Sequence, residues 1–195
     1  MPLNLPVLKN ISRKTIVLAS ASPRRREILA DMGLKFSVVT TLKPDENNPM
    51  LYKSRAEYVA DTARMKAEEV FMRCQQDSQL PDADIVIGAD TVVVKDENVL
   101  EKPKDKDHAL AMLQQLNGQS HYVLTGVHIV FKLNDKVERI EFVERTEVRF
   151  DQIDPGAIQA YVDSGEPFDK AGGYGIQGQA SLFVKSIHGD YWNVV

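Results

Sequence analysis

The chain has 195 residues, 43% hydrophobic and 27% charged, which suits one domain or two small lobes and excludes disordered, collagen-like and membrane-embedded classes. A formal net charge of −4 excludes the basic surface on which non-specific nucleic-acid binding rests, yet leaves room for one local basic pocket that takes a small anion. Cys74 is the only cysteine, so no intrachain disulfide can form, which fits a reducing, cytoplasmic compartment.

Residues 1–14 contain a short apolar run, Leu3 to Leu8, broken by proline. It is too short for a signal-peptide core or a membrane span and reads as an N-terminal extension. Thr15 to Ala19 is apolar and β-branched and predicts a buried strand. Ser20-Ala21-Ser22 leads into Pro23, and Pro23 to Met32 predicts a helix with serine at its cap, proline in its first turn and Gly33 at its end. Lys35 to Thr40 alternates like a strand, and Leu42 to Lys53 is a polar loop.

Ser54 to Gln76 predicts a long helix with Val59, Ala63, Ala67, Val70, Phe71 and Cys74 on one face. Asp84 to Gly88 is a strand of the buried type, and Thr91 to Val94 continues in β-favouring residues. Asp105 caps a helix through Leu116, with Gly118 just past its end. His121 to Lys132 and Val137 to Phe150 are β-rich, joined by a hairpin turn at Leu133 to Lys136. Asp154-Pro155 starts a helix to Asp163. Ser181 to Ile187 and Tyr191 to Val195 predict a final hairpin around His188-Gly189-Asp190. Strands and helices interleave with hairpins, so the fold class is α/β with a mixed twisted sheet.

Three arginines, Arg24, Arg25 and Arg26, fall in the first turn of a helix, where the dipole disfavours cations. A bound anion resolves this, because free backbone N–H groups attract phosphate and guanidinium groups add bidentate contacts. Ser20 and Ser22 add hydroxyl donors. The alternative is a solvated patch paired with Glu27 and Asp31. Arg25 shares a face with Ile28, Leu29 and Met32, which turns it inward or towards a cleft edge.

Asp90 follows the apolar run Ile85-Val86-Ile87-Gly88-Ala89, and a carboxylate at the end of a buried strand often faces a ligand cleft. It suits magnesium, which takes one or two carboxylates plus substrate phosphates. Asp45-Glu46 offers a second carboxylate. Turn capping and loop solubility are the plain alternatives. Lys66 lies on the apolar stripe of the long helix, where spacing alone favours a buried stem with its ammonium in water. Lys102, in Glu101-Lys102-Pro103, follows a turn and has the same two readings, surface or phosphate contact.

Gly173-Tyr174-Gly175-Ile176-Gln177-Gly178 matches a dinucleotide fingerprint in letters only, since a turn precedes it and a strand-like run follows. No Walker-type phosphate loop occurs. His108, His121, His128 and His188 lack zinc spacing and read as packing or surface residues.

The ordered set Leu18-Ala19-Ser20-Ala21-Ser22-Pro23-Arg24-Arg25, Gly88-Ala89-Asp90-Thr91, Glu101-Lys102-Pro103, Leu116-Asn117-Gly118, Thr125-Gly126-Val127 and Asp169 to Gly178 resembles the Maf family of nucleoside triphosphate pyrophosphatases. The resemblance covers nearly the whole chain from Thr15, so residues 15–195 form one Maf-like domain after an extension of residues 1–14. It implies an elongated two-lobed α/β fold with a central cleft, similar to inosine triphosphatase, with a homodimer as a possible assembly.

It also implies attack of water on the α-phosphate with magnesium or manganese present, releasing pyrophosphate. Asp90 would accept the proton and help hold the metal. Arg25, Lys66 and Lys102 would hold phosphates beside Ser20 and Ser22, and Glu46, slightly ahead of Asp45, would be the second acidic residue. Arg24, Thr91 and Gln177 match the branch that prefers dTTP and UTP. Family members usually continue past Asn193-Val194-Val195, so the usual C-terminal end is expected to be missing. The competing expectation is a nucleotide-binding regulator without catalysis.

Overall fold

The computed structural model describes residues 10–11, 13–42, 48–134 and 136–195. Seven strands form one sheet: β1 (Ile16–Leu18), β2 (Ser37–Val38), β3 (Ile85–Lys95), β4 (Asn98–Leu100), β5 (Ser120–Leu133), β6 (Lys136–Phe150) and β7 (Val184–His188). The order is β2-β1-β3-β5-β6-β7, with β4 attached to β3. β1 lies parallel to β2 and β3, whereas the β3–β4 and β6–β7 pairs are antiparallel. The sheet is therefore mixed, as the interleaved elements and hairpin signals predict. Five α-helices are described: α1 (Pro23–Asp31), α2 (Arg55–Gln76), α3 (Lys106–Leu116), α4 (Pro155–Asp163) and the short α5 (Tyr191–Val194).

The helix signals act as the sequence chemistry requires. Ser22, Asp105 and Asp154 are N-caps whose side chains accept from Arg25, His108 and Gly156 amides, satisfying donors that a first helical turn leaves free. Past their ends, Gly33 and Gly118 take positive φ of 78° and 68°.

The chain divides into two compact units. The first comprises Met1–Asn48, Ala60–Asp90 and Gly126–Phe142. Its core holds Val17, Ala19, Val39, Val86 and Val130 from strands and nearby loops, with Ala67, Val70, Phe71 and Cys74 from α2. The apolar stripe of α2 is thus the buried face, and Val59, Ala63, Ala67 and Val70 are wholly inaccessible. The second unit comprises Pro49–Val59, Thr91–Thr125 and Val143–Val195. Its main core gathers Leu113, Leu116, Val148, Phe150, Ile158, Val162, Tyr174 and Phe183.

Gly88 controls how closely α2 approaches β3. A Cβ there would stand 2.6 Å from the Ala63 carbonyl oxygen and 2.8 Å from the Ala67 Cβ, and backbone cannot yield as a long side chain can. Gly88→Ala should therefore cost about 1–3 kcal/mol, the usual penalty for overpacking a dense core. In a chain of this size the melting temperature should fall by about 2–4 °C per kcal/mol. Calorimetry showing an unchanged melting temperature would mean that the helix can lift off the strand freely.

Three predicted elements differ from what forms. Lys35 to Thr40 yields only the two-residue β2, both residues exposed. Asp84–Gly88 and Thr91–Val94 are one continuous strand, β3, so Asp90 lies inside a strand rather than at its end. The predicted last hairpin does not form: Gln179–Phe183 is a 3-10 helix, β7 follows, and Tyr191–Val194 is helical. Local chemistry decides the last case. The Asp190 carboxylate accepts the Asn193 amide as an N-cap, and Asn193 Nδ2 is held by the Val123 carbonyl and the Thr146 hydroxyl. These polar anchors outweigh the β propensity of the neighbouring residues.

Candidate active site

Side-chain alternation along β3 puts Val86, Gly88 and Asp90 on one face, the face that packs on α2 at Ala63 and Ala67. Helical spacing brings Lys66 to that seam from the other side. The two side chains meet: Lys66 Nζ donates to Asp90 Oδ1 at 2.8 Å, and each side chain is 14% exposed. Lys66 therefore does not extend its ammonium into bulk water, as spacing alone suggested. It ends on the carboxylate, 24 residues away in sequence. Burial decides this, because a largely enclosed ammonium must be compensated.

Asp90 stands where β3 has run past the end of its parallel neighbour. β1 pairs with β3 only from Ile85 to Ile87, and the last contact is the Ala19 amide on the Ile87 carbonyl. The chain leaving β1 turns at Ser20-Ala21-Ser22 into α1. There the Ser22 amide donates to Ser20 Oγ at 3.2 Å. Arg25 Nη1 donates to Ser20 Oγ at 3.0 Å and to the Ala89 carbonyl at 2.8 Å. The guanidinium is thus fixed on the residue preceding Asp90, 64 positions away, and the solvated-patch reading fails for Arg25. Arg24 beside it is partly buried, and the first turn of α1 contains no acid.

Ser20, Ser22, Arg24, Arg25, Lys66 and Asp90 all belong to the first unit. Two of the cations, Arg25 and Lys66, converge on the Ala89-Asp90 peptide, a helix start lies beside them, and among the described residues the Asp90 carboxylate joins them. Such a group favours a polyanion and offers one oxygen base.

The remaining predicted site residues belong to the second unit. Thr91 Oγ1 lies 2.9 Å from Thr125 Oγ1. Lys102 is exposed on the loop after β4. That loop is anchored on both sides, since Tyr58 donates to Glu101 Oε1 at 3.1 Å, the Gly172 amide donates to the Glu101 carbonyl, and Pro103 is buried. Gln177 is exposed between buried Ile176 and partly buried Gly178. The glycine run leads directly into a 3-10 helix and then β7 rather than opening an α-helix, so the dinucleotide-fingerprint reading stays rejected. Asp45 and Glu46, the expected second carboxylate, lie outside the described residues.

Two features escaped sequence reasoning. His121 is 1% exposed and pairs through Nε2 with the Tyr174 hydroxyl at 2.7 Å. Burial pushes its pKa down to about 3, with Lys95 adding to the effect. Glu166 accepts the Gln179 amide at 3.1 Å and the Tyr161 hydroxyl at 3.3 Å. The position of an acid just before the Pro167 turn and the glycine run was the available signal for the second. For the first, sequence left packing and surface readings open and gave no sign of the Tyr174 partner.

Comparison with known proteins shows the family. The family model described as Maf-like protein matches residues 15–195. This chain belongs to the Maf-like family. A human relative named probable bifunctional dTTP/UTP pyrophosphatase/methyltransferase protein is 45% identical over 197 residues, covering 97% of this Maf-like chain. The chain spans 31% of that protein's length. A dTTP/UTP pyrophosphatase of Clostridium perfringens (strain 13 / Type A) is 44% identical, over 92% of this chain and 89% of its own. A nucleoside triphosphate pyrophosphatase of Dictyostelium discoideum is 40% identical, over 96% and 87%. The family resemblance read from the ordered motifs is thereby borne out. Among the described residues no helix of this Maf-like chain is long and apolar enough to cross a membrane.

Proposed function

We propose that this Maf-like chain hydrolyses a pyrimidine nucleoside triphosphate, dTTP or UTP, to the monophosphate and pyrophosphate. The observation that carries the reading is the Lys66–Asp90 pair at 2.8 Å beside the Arg25 anchor on Ala89. The names of relatives 40–45% identical over most of the chain support the substrate class.

A triphosphate carries about four negative charges, and its cleavage needs electrostatic neutralisation and positioning more than covalent help. Arg25 and Lys66 supply positive charge, with Lys102 as a further phosphate contact, and Ser20 and Ser22 lie beside them. Water attacks the α-phosphorus: a new P–O bond forms, the bond to the bridging oxygen of pyrophosphate breaks, and Asp90 takes the proton. A triphosphate competes for the Lys66 ammonium, and drawing it from Oδ1 frees the carboxylate to act as base.

A hard divalent ion fits the donor set. Asp90 offers carboxylate oxygen, with Oδ1 accepting from Lys66. Among the described residues no cluster of three or more His, Cys, Asp or Glu forms a ready cage, and magnesium commonly completes its shell from substrate phosphates and water. Asp90 and Glu46 would hold Mg2+, or Mn2+ in its place, which supplies neutralisation of phosphate charge and a more acidic water. Arg24, Thr91 and Gln177 are the residues assigned to base selection. The same reading makes the chain a cytoplasmic enzyme of free nucleotides rather than nucleic acid, working as a homodimer.

The test is pyrophosphate release from UTP, dTTP, CTP and GTP with magnesium present. Release from UTP and dTTP ahead of GTP, stopped by chelator, is expected. Release of single phosphate would make the chain an ordinary phosphatase. Tight nucleotide binding with no product would favour the non-catalytic regulator.

A further inference from the structure

We infer that Glu166 is a positioning residue for base selection, holding the loop that presents Gln177. The inference rests on the proposed function and deepens it. It starts from a geometric fact: the residues from Tyr174 to Gly178 are buried or half-buried except Gln177, which is exposed. An exposed amide selects a ligand only if the backbone carrying it is held, because ordering a loose loop on binding costs affinity.

The holding contacts come from the turn that precedes the loop. Glu166 opens a 3-10 helix spanning Glu166–Asp169. One carboxylate oxygen, Oε2, accepts the Gln179 amide at 3.1 Å. The other, Oε1, accepts the Tyr161 hydroxyl of α4 at 3.3 Å. Burial pushes the Tyr161 hydroxyl well above its usual pKa, with the Glu166 charge adding to the effect, so it remains a donor. Lys170 Nζ then donates to the Glu166 carbonyl at 2.6 Å. The carboxylate is thereby fixed between α4 and the residue two positions after Gln177.

Two glycines make the fit possible. A Cβ on Gly178 would stand 1.8 Å from Glu166 Oε1, and a Cβ on Gly175 would stand 2.7 Å from Lys170 Cε. The Gly178 amide closes a turn on the Gly175 carbonyl at 3.2 Å. On the other flank, Tyr174 is locked by its hydroxyl on His121 and by edge contacts with Phe150. Gln177 is therefore carried on a turn pinned on both sides. The acid on one side touches no other residue assigned to the chemistry.

The inference separates Glu166 from a general stability role through specificity. Glu166→Ala should raise KM for UTP by about tenfold, the scale of one lost hydrogen bond to a charged group. It should leave kcat nearly unchanged and narrow the kcat/KM advantage of UTP over GTP by a similar factor. Glu166→Gln keeps an acceptor for the Gln179 amide and a partner for Tyr161, and should restore the ranking. Gly178→Ala, which displaces the carboxylate without removing it, should reproduce the Glu166→Ala ranking. Hydrogen exchange supplies a readout independent of catalysis. The Gln179 amide should exchange faster in Glu166→Ala and Gly178→Ala and at the native rate in Glu166→Gln.

Unchanged exchange at Gln179 in both disrupting variants overturns the inference, whatever the activity. So does a wild-type ranking retained in Glu166→Ala, or a uniform fall in kcat for every nucleotide. A wild-type protein that releases no pyrophosphate, while exchange at Gln179 follows the expected pattern, defeats the proposed function and with it the base-selecting role. The structural pinning would then stand alone.

Discussion

Asp90→Asn is expected to slow pyrophosphate release by about 10²–10⁴-fold, the usual cost of losing a general base, while nucleotide binding is retained. The amide keeps the shape of the carboxylate and its position on β3 but cannot take a proton from water. Its oxygen can still accept from Lys66, so the strand–helix seam should survive, and the melting temperature should drop only modestly. Single-turnover kinetics with UTP, together with equilibrium binding of the nucleotide, separate the two effects. Near-native turnover in this variant would move the base to Glu46 or to a water activated without Asp90. Loss of binding in parallel with turnover would instead show that Asp90 serves chiefly to place the metal and phosphates.

Acid should destabilise the protein well before its carboxylates titrate. His121 is buried in the core of the second unit, against Phe150 and Tyr174, and burial pushes its pKa down to about 3. In the unfolded chain an imidazole titrates near its ordinary value of about 6.5. The folded value is depressed, so the stability contributed by a neutral His121 is fully present above pH ~6.5 and is lost as pH falls toward the folded value. Within that window the unfolded state binds one more proton, and stability should decline by up to about 1.4 kcal/mol per pH unit. The carboxylates held low by partners, such as Glu68 on Arg139, begin to contribute only nearer their own unfolded pKa of about 4.3, so the interval from pH 6 to 5 separates His121 from those carboxylates.

Protonation has a second cost. The imidazolium is a donor at both ring nitrogens, and Nδ1 is a buried atom with no partner among the described residues. Urea unfolding across pH should show the decline in the native protein and a flatter profile in His121→Leu. That variant starts lower, because it leaves the Tyr174 hydroxyl buried without a partner, at about 1–3 kcal/mol. Equal slopes in the two proteins would show that His121 is reached by water or finds an acceptor when charged.

Much of the fold was legible because its signals are local. Caps at Ser22, Asp105 and Asp154 and the helical stripe from Val59 to Cys74 depend only on neighbours in the chain. The end of the chain was misread because β propensity at Tyr191 to Val195 competes with an Asp190 cap, and contacts from Asn193 to Val123 and Thr146 settle the competition. Asp90 reads as a strand end for a related reason, although β-favouring residues continue from Thr91: a carboxylate within an apolar run reads as a boundary unless its partner is known.

Read alone, the sequence determined the mixed α/β class, the main helices and the family, because periodicity, capping and ordered motifs survive without coordinates. It also nominated Asp90, Arg25 and Lys66, but left each with an ordinary alternative. Tertiary structure decided where the Arg25 and Lys66 side chains end. The direction in which a lysine stem points depends on what stands across the seam, and only the packing of α2 on β3 over Gly88 brings the Lys66 ammonium to Asp90. Likewise the inward course of Arg25 exists only because the parallel pairing of β1 with β3 sets the Ala89 carbonyl before it. Glu166 and His121 acquire meaning the same way, since an isolated acid or histidine carries no signal until burial and a partner constrain its charge.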